Sequence, residues 1–144
     1  SFLEKLNKKT GRSYRLPNET EWEYAARTRG REYHWSGTNN VDRVGEYAWT
    51  SANAERRTRP VGGKHANGLG LYDMSGNVWE WCSDRFDMKA QGTGMTAPER
   101  VLRGGSWMLD DASAVVTTRE AAEPAAAFGD TGFRIVLPVK ELPE

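Results

Sequence analysis

The chain has one cysteine, two histidines, no net charge and no apolar run near the roughly 18 residues that cross a bilayer. Each shortage excludes something. A lone Cys82 excludes an internal disulfide framework and any multi-cysteine metal site. Lysine plus arginine number 20 and aspartate plus glutamate number 20. That balance argues against a protein that coats nucleic acid or an anionic membrane, so no nucleic-acid partner is expected, and no transmembrane segment. No leader is visible, since Ser1-Phe2-Leu3 runs straight into a charged, helix-like stretch; localisation stays open. Internal repeats and low-complexity tracts are absent as well. What remains is 144 residues, the size of one domain of about 100–200 residues, and it is expected to be a monomer. Six tryptophans and fifteen glycines predict an irregular, loop-rich α+β fold wedged together by aromatics.

Two helices are legible. Phe2, Leu3 and Leu6 at helical spacing, followed by Gly11 as a stop, predict a helix over 2–10. Pro17 keeps Leu16 extended. Asn18 with Glu21 three residues on forms a capping box, and the helix it opens is predicted over 19–29, with Gly30 as its end. From 31 to 67 the helical period disappears, leaving Tyr33, Trp35, Tyr47 and Trp49 as anchors of a long polar stretch. Such a stretch fits a compact domain only if those rings pin it down. Short antiparallel strands are predicted around 78–82, 101–104 and 132–137, the last from Phe133, Ile135 and Leu137 alternating with Arg134 and Val136. Trp79, Trp81 and Phe133 read as core wedges, and 138–144 as a tail.

Residues 71–86, LYDMSGNVWEWCSDRF, bring two tryptophans, three carboxylates and a Ser-Gly-Asn turn together. The pattern reads as a turn feeding a buried strand, with acidic oxygens at its mouth. With YRLPNETEWEYAAR before it and RVLRGGSW and GFRIV after it, it makes four motifs in order. They resemble the formylglycine-generating enzyme, or sulfatase-modifying-factor, domain family, a variant of the C-type-lectin fold. The resemblance runs from about residue 3 to 137 and makes 1–144 a single domain lacking the family's usual N-terminal portion. It implies a fold; function has to come from the site.

The family's oxidases hold copper through two cysteines shortly after GGS, as soft thiolates suit Cu(I). Here Leu109 stands in the first cysteine's place and 110–118 hold none, so no copper is expected and the chain leans away from being an enzyme. His34 and His65, in separate loops, are too few for the histidine cluster of the family's iron enzymes. Ser106 in GGSWM lacks the glycine of a nucleophile elbow, which leaves it a turn hydrogen bond. The small basic cluster around ERRTRP and Lys64 reads as a solvated loop.

Two sites follow from the resemblance. The first is a calcium loop with carboxylates from Asp73 and Glu80 and carbonyls of Gly76 and Val78, the mixture of oxygens a hard cation takes. The alternative has Asp73 capping a turn and Glu80 paired with an arginine such as Arg103. The second is a ligand-binding face on 108–131, with Trp107, Met108, Asp110, Ala114, Thr117, Arg119, Ala122, Ala126 and Phe128 as candidate contacts and their small side chains turned to solvent. In retroelement-diversified relatives this interval varies from copy to copy. Adenine-directed changes of asparagine codons reach Ala, Val, Thr, Phe, Gly and Asp but not Met108, Glu120 or Glu123. Arg119 matches a substrate-groove arginine of the family; its alternative is an ion pair with Asp110, Asp111 or Glu120. The expected function is non-catalytic recognition of a protein or small ligand through this face. A cysteine-free enzyme of the family, or an accessory domain of a larger protein such as a kinase, are the alternatives.

Overall fold

A computed structural model describes residues 1–86 and 99–139. Helix α1, Phe2–Thr10, opens on a capping box between Ser1 and Glu4 and closes on Gly11 in the left-handed conformation. Helix α2, Glu19–Ala26, opens the same way: the Asn18 side chain accepts from the Glu21 amide at 2.8 Å, and the Glu21 carboxylate accepts from the Asn18 amide at 2.9 Å. It ends three residues sooner than the 19–29 reading. Thr28, Arg29 and Gly30 all take positive φ, and the amides of Arg29 and Gly30 both donate back to the Tyr24 carbonyl. That left-handed turn closes the helix before Gly30 is reached.

Four strands form one sheet in the order β3-β2-β1-β4. They are β1 (Trp79–Arg85), β2 (Arg100–Arg103), β3 (Arg119–Ala122) and β4 (Thr131–Gly132). The pairs β1–β2 and β2–β3 are antiparallel, with Glu80 opposite Arg103 and Leu102 opposite Glu120. The closing strand differs from the 132–137 reading. Only Thr131 and Gly132 follow the ladder, and they lie parallel to β1. The chain then leaves β1, and Val136 exchanges backbone hydrogen bonds with Arg15 at 3.1 and 2.8 Å. Phe133 therefore turns outward against Phe2, ring centroids 5.5 Å apart, and is 48% exposed; it is not the core wedge its alternation suggests.

The main core gathers Trp22 and Ala26 of α2, Cys82 of β1, Val101 of β2, Met74 and Val116. Burying an aromatic of about 150–250 Å² at about 25 cal/mol per Å² gives Trp22 an upper contribution of about 4–6 kcal/mol. A second cluster holds Trp35, Val44 and Ala48, and a third Trp79, Leu102 and Ala122. The 31–67 stretch contains a 3₁₀ turn, Val41–Arg43, and the one-turn helix α3, Val44–Tyr47. Its aromatics do pin it: Trp35 Nε1 donates to the Asp111 carbonyl at 2.6 Å, and the Trp49 ring lies 3.8 Å beneath Lys64 Nζ. Within the predicted tail 138–144, residues 140–144 lie outside the described residues.

Candidate functional site

Arg103 is 1% exposed and is the buried hub of a charge network that reaches the surface. Its guanidinium donates to Glu19 at 2.6 Å and to Glu23 at 2.8 Å, and lies 5.2 Å from the Trp22 ring. Glu19 also takes two bonds from Arg119, and Glu23 one from Arg27 at 2.7 Å. Glu19 and Glu23 sit one turn apart on α2, so the helix presents both carboxylates to one face. Burial pushes both carboxyls up, and the arginine hydrogen bonds outweigh it, so each lies below its ordinary value. Arg103 thus does not pair with Glu80, although the two are opposite in the ladder; strand pairing aligns backbones, while the arginine side chain runs to α2. Arg119 likewise pairs with Glu19 and not with Asp110, Asp111 or Glu120.

The 71–80 loop is held by backbone geometry. Asp73, Gly76 and Asn77 have φ of 58°, 71° and 65°. A Cβ on Gly76 would stand 2.2 Å from the Trp49 carbonyl oxygen, so only glycine fits there. Asp73, Gly76 and Glu80 are buried, and Val78 is half-buried. Asp73 Oδ2 accepts from the Gly62 amide at 2.8 Å, while its buried Oδ1 has no partner. Glu80 is fully engaged: Oε2 accepts from Trp22 Nε1 and Arg134 Nε, both at 2.6 Å, and Oε1 from a second Arg134 nitrogen at 2.7 Å. Asp73 also attracts Arg134 electrostatically. Both Glu80 carboxylate oxygens are thus taken by Arg134 and Trp22, and as placed they are not free for a calcium shell. Among the described residues, no three acidic, histidine or cysteine side chains form a metal-holding group.

The 108–131 segment divides into outward and inward positions. Met108 and Phe128 are 60% and 54% exposed, Asp110, Thr117 and Arg119 are also exposed, and Trp107 and Ala126 are half-buried. Ala114 and Ala122, expected at the surface, are 0% and 7% exposed. Ala114 is pressed against Gly105, where a Cβ would stand 3.3 Å from its Cα; Ala122 packs with Trp79 and Leu102. Their smallness serves close packing. Leu109, at the first cysteine's place, also lies over Gly105 and packs against the third core cluster. Cys82 is buried in the main core, and burial pushes its thiol up to about 12.

Sequence reasoning missed Asp130, whose carboxylate accepts from the Ser106 hydroxyl at 2.7 Å, and strand β3, whose Arg-Glu-Ala-Ala carries no strand signature. Two cavities open beside the segment. Arg119 lines one of about 460 Å³ with Glu19, Glu23, Tyr24, Arg27 and Arg103. Thr117 lines one of about 640 Å³ with Arg27, Glu32, Tyr33, His34 and Asn39. Arg27 is common to both.

A small curled sheet, the Trp-Glu-Trp strand and a glycine turn held against Trp49 define an α+β domain of the formylglycine-generating-enzyme type. The chain belongs to the sulfatase-modifying factor enzyme 1-like domain family, whose profile matches residues 1–139. It is 37% identical to the formylglycine-generating enzyme of Streptomyces coelicolor over 83% of this chain and 45% of that protein. It is 35% identical to the inactive C-alpha-formylglycine-generating enzyme 2 of Bos taurus over 85% of this chain and 44% of that one. Among solved structures it resembles Treponema denticola variable protein 1, with a TM-score of 0.74 and 40% identity over 86% of this chain and 47% of that one. The chain thus spans about half the length of the curated relatives it matches.

Proposed function

We propose that this is a non-catalytic recognition domain that takes a protein or small ligand on the outward part of 108–131. Met108, Asp110, Thr117, Arg119 and Phe128 are its contact residues, with Trp107 and Ala126 at the margin. Ala114 and Ala122 anchor the segment from below. The observation that carries the reading is this division: exposed tips, two of them large apolar side chains, on a segment that Ala114, Val116 and Ala122 hold to the interior. Large exposed apolar groups held on a fixed scaffold are what a binding face needs. Likeness to a variable protein supports the same reading. A bis-thiolate copper site needs two cysteines, and the sequence has one, buried and with its thiol pushed up. Calcium would join the 71–80 loop only if Glu80 released Arg134, with Asp73 as the carboxylate still open to it.

The test is selection of displayed peptides on the native chain, followed by binding to a Met108→Ser/Phe128→Ser variant. The reading expects selected peptides to lose about tenfold or more in affinity, as removal of a central anchor does. Peptides that bind both proteins equally would contradict it.

A further inference from the structure

A cavity of about 640 Å³ has Arg27, Glu32, Tyr33, His34, Asn39 and Thr117 in its wall, and its volume falls in the roughly 300–1,000 Å³ of small-ligand sites. The backbone of 32–34 is tied down at three successive carbonyls. Asn39 Nδ2 donates to that of Glu32 at 2.7 Å, Arg27 to that of Tyr33 at 3.1 Å, and the Val116 amide to that of His34 at 2.7 Å. Asn39 Oδ1 also accepts from the His34 amide at 2.7 Å. The side chains are not tied. Among the described residues, the Glu32 carboxylate, the Tyr33 and Thr117 hydroxyls and the His34 imidazole have no hydrogen-bond or ion-pair partner, and all four line the cavity. The neighbouring cavity differs, because Glu19, Glu23, Arg103 and Arg119 there are occupied with one another.

The lining selects the ligand class. Arg27 is engaged by Glu23 and by the Tyr33 carbonyl, and its charge is matched within the wall by that of Glu32, so neither a polyanion nor a polycation is called for. An apolar ligand would take water from four polar groups and return no hydrogen bond. Those groups are a carboxylate, which accepts, and two hydroxyls and an imidazole, which both donate and accept. Two of them sit on rings, Tyr33 half-buried and His34 exposed, with His34 braced edge-on by Trp35 at 6.0 Å. Such side chains offer an apolar body beside a polar tip. A ligand that answers all of this is neutral, carries many hydroxyls and has C–H faces. We propose that the cavity binds a neutral saccharide, with hydroxyls on Glu32 and Thr117 and C–H faces against Tyr33 and His34. Thr117 belongs to the recognition face, so this site rests on that reading and gives it a ligand class.

The test applies the whole chain, fluorescently labelled, to an array of neutral and sialylated glycans, then titrates it with the neutral glycan bound best. Saturable binding of neutral glycans is expected, equal in calcium and in chelator, since Glu32 is the one carboxylate among the lining residues. Glu32→Ala and His34→Ala, both at exposed side chains, are each expected to weaken it about tenfold, the effect of losing one or two bonds. Having both variants keeps a folding defect in one from deciding the result. Met108→Ser/Phe128→Ser is expected to retain glycan binding, because neither residue is in the cavity wall. No binding to any glycan, preference for the sialylated ones, dependence on calcium, binding that survives both Glu32→Ala and His34→Ala, or loss confined to Met108→Ser/Phe128→Ser overturns the proposal. Selected peptides that still need Met108 and Phe128 when no glycan binds would sink the saccharide site and leave the recognition reading standing.

Discussion

The Ser106 hydroxyl donates to the Asp130 carboxylate across 2.7 Å, joining the two ends of the 108–131 segment, 24 residues apart in sequence. The same oxygen accepts from the Met108 amide at 3.2 Å, so one buried hydroxyl fixes both the start of the segment and its return. Replacing Asp130 with alanine leaves that hydroxyl without its acceptor. The expected cost is about 1–3 kcal/mol, read as a lower urea midpoint, with faster amide exchange at Met108. An unchanged midpoint and exchange rate would show that the two ends are held by something else.

Arg103 lies between two α2 carboxylates and carries α2 onto β2. Arg103→Met removes the buried cation and leaves Glu19 and Glu23 to Arg119 and Arg27 at the surface. Breaking a buried pair costs about 3–5 kcal/mol, and the remaining arginines place this case at the lower end. Exposed Arg43→Met, which breaks a surface pair with Glu46, should move the unfolding midpoint far less. Equal costs for the two changes, measured by denaturant unfolding, would contradict the hub assignment.

Acid should weaken the α2 face. The Arg15 hydrogen bond holds Glu21 at about 2, against an ordinary 4.5, and Glu19 and Glu23 are also lowered. These carboxyls bind protons less readily in the folded chain. Their stabilisation is therefore complete above the unfolded value of 4.5 and lost as pH falls through the folded one, about 2 for Glu21. Melting temperature should fall steadily over that window. Arg15→Gln should flatten the slope by lowering stability at neutral pH and leaving it unchanged in acid, and the loss should be small because the pair is exposed. A slope unaffected by that change would assign the acid response to other groups.

Arg134 holds the Glu80 carboxylate that a calcium loop would need, so a calcium ion would have to compete with it. The native chain should melt at the same temperature in calcium and in chelator. Arg134→Gln should melt lower in chelator and recover in calcium, by about 2.7 kcal/mol at a hundredfold excess over Kd. A calcium-dependent rise in the native chain that Asp73→Ala removes would restore the calcium loop.

Much of the fold is legible because capping and turn chemistry is local. Gly11 after the spacing of Phe2, Leu3 and Leu6 announces the first helix, Asn18 with Glu21 the second, and the four ordered motifs announce the family. Less of the site is legible, because its bonds are long-range. Nothing in the spacing of Glu19, Glu23, Arg103 and Arg119 says which arginine meets which glutamate, since 84 and 100 residues part the partners of Glu19. Alanines misled for a related reason. Ala114 and Ala122 look like surface residues beside larger neighbours, yet Ala114 closes against Gly105 and Ala122 packs with Trp79 and Leu102. Phe133 misled in the opposite direction, because alternation predicts a two-sided strand and the ladder stops at Gly132.

The central claim is that recognition occurs on the outward positions of 108–131. Hydrogen exchange of the native chain, with and without a peptide selected on it, tests this directly. The account predicts slowed exchange at amides around Met108, Asp110, Thr117, Arg119 and Phe128, with little change near Phe2 and Phe133. Protection confined to the Phe2–Phe133 contact, with 108–131 unaffected, would contradict it.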